Sequence, residues 1–382
     1  MKNQAKYLVF SCLLVAVVSK AQNPLPAQVP VNPPRLLDTF ESVKILPDYS
    51  VIFRIKAPKA TDVFLVPDYS PKADTIRMEK GDNGVWAWHT NPLKPDLYGY
   101  EFWVDGVRTI DPRNPILRDA ASNISNLFEM PAPESAYLTE KNVPHGKVEK
   151  VYYHSKSLNL DRRMHVYLPP NYDKIKEKLP VLYLLHGGSG NDATWATIGR
   201  ANFILDNLYA EGKLKPMIVV MPNGTAPLPT DWMAAGTEKD PFCQDFLQDI
   251  MPFIETNYRV STKRAHRAIA GLSMGGVQVL NIALWNPEKF AYVAPMGTGY
   301  FPPIIKVIEE QKSDVLKNPA LKNFKNFTFY MGKQDPVAYN NGKNSMALLA
   351  KNNIKFEYIE IEGGHRQSVF RRNFYDFIQK IF

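Results

Sequence analysis

Between residues 36 and 130, apolar and polar positions alternate in short bursts. Val51, Phe53 and Ile55 oppose Ile52, Arg54 and Lys56, and comparable segments recur at 63–66, 85–89, 97–104 and 107–110. A period of two sends successive side chains to opposite faces, which marks half-buried strands. Asn83-Gly84 and Asp105-Gly106 punctuate them as tight-turn pairs. About a hundred residues of strands without an amphipathic helix predict a small β-sandwich. Trp86 and Trp88, two apart, share one strand face and are read as core packing.

After residue 148 the pattern changes. Continuous apolar runs at 181–185, 217–221, 268–270, 292–296, 327–331 and 356–361 alternate with helix-period segments near 200–212, 242–257, 275–286, 342–352 and 367–381. Strands apolar on both faces, separated by helices, predict a mostly parallel sheet covered on both sides. Proline-marked stretches at 22–35 and 131–147 are read as linkers. Residues 1–21 join a lysine-bearing stub to the apolar run Leu8 to Val18 and end in Ser19-Lys20-Ala21. That is the layout of a secretory signal, too short to span a bilayer.

Composition narrows the classes. With 45% hydrophobic and 22% charged residues, the 382-residue chain is neither disordered nor a polytopic membrane protein. The formal charge of +8 includes Lys2, Lys6 and Lys20 of the signal segment, and no arginine-rich stripe points to nucleic acid. Removal of that segment takes Cys12 with it. Cys243 then has no partner for an intramolecular disulfide and is expected to be a buried spectator. A secreted or periplasmic location follows from the signal, with no membrane insertion once it is gone.

The sharpest chemical signal is Gly271-Leu272-Ser273-Met274-Gly275-Gly276, because it follows an apolar strand and opens a helix. A sharp strand-to-helix turn exposes the Ser273 hydroxyl as a nucleophile and aims the Met274 amide at a developing oxyanion. A base must follow in the chain, and His365, in Gly363-Gly364-His365, is the only histidine beyond Ser273. Asp335 lies between them at another strand end. Glu362 is the second choice, three residues from His365 and poorly placed to orient it. Gly187 and Gly188, in the turn after the strand 181–185, offer a further oxyanion amide, with His186 read as orienting the loop. Trp195 and Trp232 fall in loops expected at the sheet's carboxyl edge and are candidates for an aromatic substrate wall. No His, Cys or carboxylate cluster has metal-ligand spacing, so a mechanism without metal or cofactor is expected.

The run from Leu179 to Gly188, with Pro216 to Gly224, the Ser273 motif and Gly363-Gly364-His365, resembles the secreted esterases related to esterase D. These include the feruloyl and acetylxylan esterases of carbohydrate esterase family 1. The resemblance covers residues 148–382 and implies an α/β-hydrolase domain with a Ser273, Asp335 and His365 triad. It also implies an acylated plant polysaccharide or oligosaccharide as substrate. Residues 36–130, with Val51-Ile52-Phe53-Arg54 and Tyr100 to Gly106, look like the immunoglobulin-like module related to glycogen-binding domains. One departure is Phe370 where members commonly carry a tryptophan. Esterases that open siderophore trilactones share the two-domain plan, and a carbohydrate-binding protein without turnover is the remaining alternative.

Overall fold

The computed structural model describes residues 40–68, 75–119, 124–226 and 239–382. The signal segment, the 22–35 stretch and Trp232 lie outside them.

Two antiparallel sheets form the N-terminal module. One has four strands, in the order Val43–Ile45, Val51–Lys56, Val85–His89 and Glu79–Lys80. The other is built around Val63–Pro67, Leu97–Val104 and Ile124–Glu129, with Ile76–Arg77, Leu117–Asp119 and Val107–Thr109 paired at its edges. The alternation read in the sequence is what fills the space between them. Val51, Phe53 and Ile55 point inward from one sheet, and Tyr100, Phe102 and Phe128 from the other. Phe53 meets Tyr100 at a ring separation of 5.0 Å and Phe128 at 5.4 Å, edge or tilted contacts that aromatic quadrupoles favour. Asp105 and Gly106 both take positive φ, as a two-residue hairpin turn requires, and join Leu97–Val104 to Val107–Thr109. Trp86 is buried with its indole N–H donating to the Ala57 carbonyl, and Trp88 packs against the same core.

The second domain carries an eight-stranded sheet. Its order is Lys147–Ser155, Leu160–Leu168, Ile218–Pro222, Val181–Leu185, Arg267–Leu272, Tyr292–Met296, Asn326–Gly332 and Glu357–Ile361. The first two strands form an antiparallel hairpin, and from Ile218–Pro222 onward neighbours are parallel. The central strands read as unbroken apolar runs because each serves two cores. Val181, Tyr183 and Leu185 pack under helices including Met274–Trp285, while Leu182 and Leu184 pack under Ala201–Ala210 and Gln367–Ile378. This is the α/β-hydrolase plan preceded by an immunoglobulin-like sandwich.

Residues 131–147 are more than a tether. Pro133–Leu138 forms a 3₁₀ helix whose Leu138 is buried in the second-domain core. Asn207 donates to the carbonyls of Tyr137 and Thr139, and the Tyr137 ring sits 4.3 Å from that of Tyr375. Trp195 also differs from expectation. It is 1% exposed, packs on Phe374 and donates its indole N–H to the Leu185 carbonyl at 2.9 Å. It belongs to the core under the loop and not to a substrate wall, because its contacts with Phe374 and Leu185 leave the ring no exposed face.

Candidate active site

Ser273 stands between the strand Arg267–Leu272 and the helix Met274–Trp285 with φ 53° and ψ −116°, a region few L-residues occupy. Surrounding bonds hold the strain. The Ser273 N–H donates to the Met296 carbonyl at 2.9 Å, and its own carbonyl accepts from the Thr298 hydroxyl at 2.8 Å and the Val277 N–H at 3.1 Å. The turn is tight because the helix start nearly touches its own strand, where a Cβ at Gly271 would lie 2.6 Å from the Gly275 carbonyl oxygen, and also the end of the neighbouring strand Val181–Leu185. A side chain at Gly275 would run into the His186 carbonyl and lie 2.8 Å from the Leu185 Cβ. Met274 begins the helix, so its N–H is among the amides the helix leaves without an internal acceptor.

Asp335 follows the strand Asn326–Gly332, and His365 lies in the turn after Glu357–Ile361. The structure brings them together. His365 Nδ1 is 2.7 Å from Asp335 Oδ2, while Asp335 Oδ1 accepts from the amides of Val337 and Ala338 at 2.9 and 2.8 Å. Burial pushes the Asp335 carboxyl upward, but the bonds from His365 and from these amides prevail and hold it below the ordinary carboxylate value. An ionised carboxylate only accepts, so Nδ1 carries the proton and the lone pair of His365 is left at Nε2. The Phe370 ring meets the His365 ring edge-on at 5.1 Å. Glu362 is engaged elsewhere, with Lys333 at 2.5 Å and Gln334 at 2.8 Å.

Gly187 packs directly against the serine: a Cβ there would collide with Leu272 Cδ1 and lie 3.3 Å from Ser273 Cβ. The orientation of the next peptide comes from His186, which is buried and held below its ordinary pKa by that burial. Its Nε2 accepts from the Gly224 N–H at 2.8 Å, so its proton sits on Nδ1 and donates to the Gly187 carbonyl at 2.7 Å. In a trans peptide the carbonyl oxygen and the following N–H point in opposite directions. Pinning the Gly187 oxygen inward therefore turns the Gly188 N–H away from His186. The far end of this loop is anchored by Asp192, 1% exposed, which takes both a bidentate contact from Arg163 at 2.7 and 2.8 Å and His165 Nδ1 at 2.7 Å.

These groups share one cleft of about 400 Å³. Gly187, Gly188, Ser273 and His365 line it, with Leu272, Ile198 and Phe370 as its apolar part. Asp68, Leu97 and Arg118 of the sandwich also reach it, as does Arg366. Sequence reasoning missed the three from the sandwich, because only tertiary docking brings Leu97 and Asp68, 269 and 298 positions from Arg366, to the same rim. Arg366 is the joint: its Nε is 2.8 Å from Asp96 Oδ2, and its Nη2 donates to the Leu97 carbonyl at 3.2 Å. Arg371 adds a buried link, with Nη1 2.7 and 2.9 Å from the Glu129 oxygens and Nε donating to the Ile198 carbonyl at 2.7 Å. Among the described residues, no group of three His, Cys, Asp or Glu side chains is placed to hold a metal ion.

A strained strand-to-helix serine on an α/β sheet, with a carboxylate-held histidine at its cleft, is the arrangement that serine ester hydrolases of the α/β-hydrolase fold use. Residues 155–380 match the family described as "Putative esterase", and the chain belongs to it. It is 34% identical over 264 residues to an endo-1,4-beta-xylanase/feruloyl esterase of Xylanibacter ruminicola, an alignment covering 66% of this chain and 36% of that protein. The chain thus spans little more than a third of that relative's length. Among solved structures, the feruloyl esterase module of Clostridium thermocellum, seen as a serine-to-alanine variant with sinapinate, aligns at a TM-score of 0.56. Its identity is 25%, over 66% of this chain and 93% of that one. The enterobactin esterase of Shigella flexneri aligns over 88% of this chain and 95% of its own at a TM-score of 0.64. At 17% identity this is a likeness of fold, and it takes in the sandwich as well.

Proposed function

We propose that this protein is a serine esterase that removes feruloyl groups from plant cell-wall xylan. The 2.7 Å bond between His365 and Asp335 at the cleft of Ser273 carries the reading, because it leaves Nε2 as the free base. In this mechanism His365 takes the Ser273 proton as the oxygen attacks the ester carbonyl. The Met274 and Gly188 amides receive the oxyanion, with Gly187 keeping the loop against the serine. Asp335 stabilises the imidazolium, His365 then gives that proton to the sugar oxygen as its bond to the acyl carbon breaks, and water releases the acyl group from Ser273 by the same steps with His365 again as base.

The cleft favours an aromatic acyl group over acetyl. About 400 Å³ bounded by Leu272, Ile198 and Phe370 offers an apolar ring more contact than it offers a methyl group. The two arginines at the rim are each paired with an aspartate, which disfavours a multiply anionic siderophore. The 1–21 segment supports export to the periplasm or beyond the cell, and the substrate partner is an acylated polysaccharide or oligosaccharide, not nucleic acid.

The test is release of ferulate and acetate, followed together by chromatography, from feruloylated and acetylated arabinoxylan, with Ser273→Ala as control. Ferulate release that disappears in the variant is expected. Acetate alone would assign a smaller acyl group, and turnover retained by Ser273→Ala would overturn the nucleophile.

A further inference from the structure

The cleft around Ser273 is closed in part by the sandwich, and the sandwich presents a joined polar pair there. Arg118 Nη2 lies 3.0 Å from Asp68 Oδ2, and Arg366 Nη2 reaches Asp68 Oδ1 at 3.4 Å. The strand beneath is shaped to admit the pair. At Gly99 a Cβ would lie 2.7 Å from Asp68 Oδ2 and 3.2 Å from Arg118 Nη2, so a larger residue would displace both.

The pair is not sealed in. Side-chain exposures of 36% for Arg118 and 32% for Asp68 leave both open to the cleft, and an ion pair that exposed adds little stability. Its charges also cancel locally, because Arg118 and Arg366 face Asp68 and Asp96. A ligand held here therefore needs no net charge. A carboxylate accepts hydrogen bonds and a guanidinium donates them, so the matching group is one that does both at adjacent atoms. Neighbouring hydroxyls of a sugar ring have that character. The apolar lining for an acyl ring comes mainly from the catalytic domain, through Leu272, Ile198 and Phe370, which leaves the polar rim for the alcohol half of the ester.

We infer that Asp68 and Arg118 form a carbohydrate subsite that holds the sugar on the leaving-group side of the scissile ester. The sandwich is then a specificity element of the active site. This rests on the feruloyl esterase reading above.

The experiment compares kcat/KM of the full chain and of Arg118→Ala and Arg118→Lys on two esters of one acid, methyl ferulate and a feruloylated arabinose. The acyl half is common, so its effects cancel in the ratio of the two. Arg118→Ala is expected to lower the sugar-ester to methyl-ester ratio by about tenfold, mainly through KM, with Arg118→Lys retaining part of the preference. An equal loss on both esters, or an unchanged ratio, would overturn the subsite. Calorimetry with an unferuloylated arabinoxylan oligosaccharide on the Ser273→Ala protein, with and without Arg118→Ala, separates this idea from the choice of acyl group. Binding that weakens with Arg118→Ala supports the subsite even if neither ester turns over, and binding indifferent to Arg118, or none at all, overturns it.

Discussion

Asp240 is 6% exposed and opens the helix that begins at Pro241, accepting the Phe242 N–H at 2.9 Å. Burial pushes its carboxyl from 3.8 up to about 6, with the amides of Phe242 and Cys243 pulling the other way. That interval is equivalent to about 3 kcal/mol. Below pH 4 or so both folded and unfolded chains keep the proton, and nothing is lost. As pH rises from about 4 to about 6, the unfolded chain releases it while the folded chain holds it, so stability falls over that window and then levels off. Asp240→Asn keeps an oxygen for the Phe242 amide but cannot ionise. At pH 4 the variant and the parent should agree within about 1 kcal/mol, and at pH 8 the variant should be more stable by about 2 to 3 kcal/mol. Thermal melts followed by circular dichroism should show a gain of roughly 5 to 10 °C at pH 8. A difference between the two proteins that stays constant with pH would refute the raised carboxyl.

Two further changes probe the site and its support. Gly187→Ala places a methyl group on Leu272 and against Ser273, so kcat on a ferulate ester should fall about 10²- to 10³-fold, as for a lost oxyanion donor, with the melting temperature little changed; an unaltered kcat would show that the loop takes no part. Arg371→Ala strands Glu129 and the Ile198 carbonyl, and urea unfolding should report a loss of about 3 kcal/mol; Glu129→Gln keeps an acceptor but leaves the buried guanidinium without its counter-charge, so a loss of similar size is expected.

The central strands were legible because they are buried on both faces, which no other arrangement of five consecutive apolar residues between helices satisfies so simply. The strand-to-helix turn at Ser273 was legible for a different reason: its glycines answer a local steric demand. The hairpin Lys147–Ser155 and Leu160–Leu168 escaped notice, since its outer strand is mostly exposed and carries little apolar period. The helix Pro302–Gln311 buries only Ile304 and Ile308, and its opening Pro-Pro reads as a break although proline suits a first helical turn. Trp195 was misread because proximity to a catalytic loop in sequence does not say which side of the sheet edge a ring will take. The sandwich side of the cleft had no sequence signature at all, as Asp68 and Arg118 gain meaning only beside Arg366.

The short helix Pro133–Leu138 alters what kind of two-domain protein this is. With Leu138 sunk in the catalytic core and the flanking carbonyls held by Asn207, the connection has no slack, so the sandwich is held close to Ser273 and not left to diffuse on a leash. A rim formed by a tethered module would lose its shape at every excursion of the tether. Here the entropy of fixing that rim is met once, during folding, and each substrate encounters a wall already in place. The inheritable unit is accordingly the sandwich together with its connector, and a graft of the β-strands alone would carry the surface without the grip that presents it.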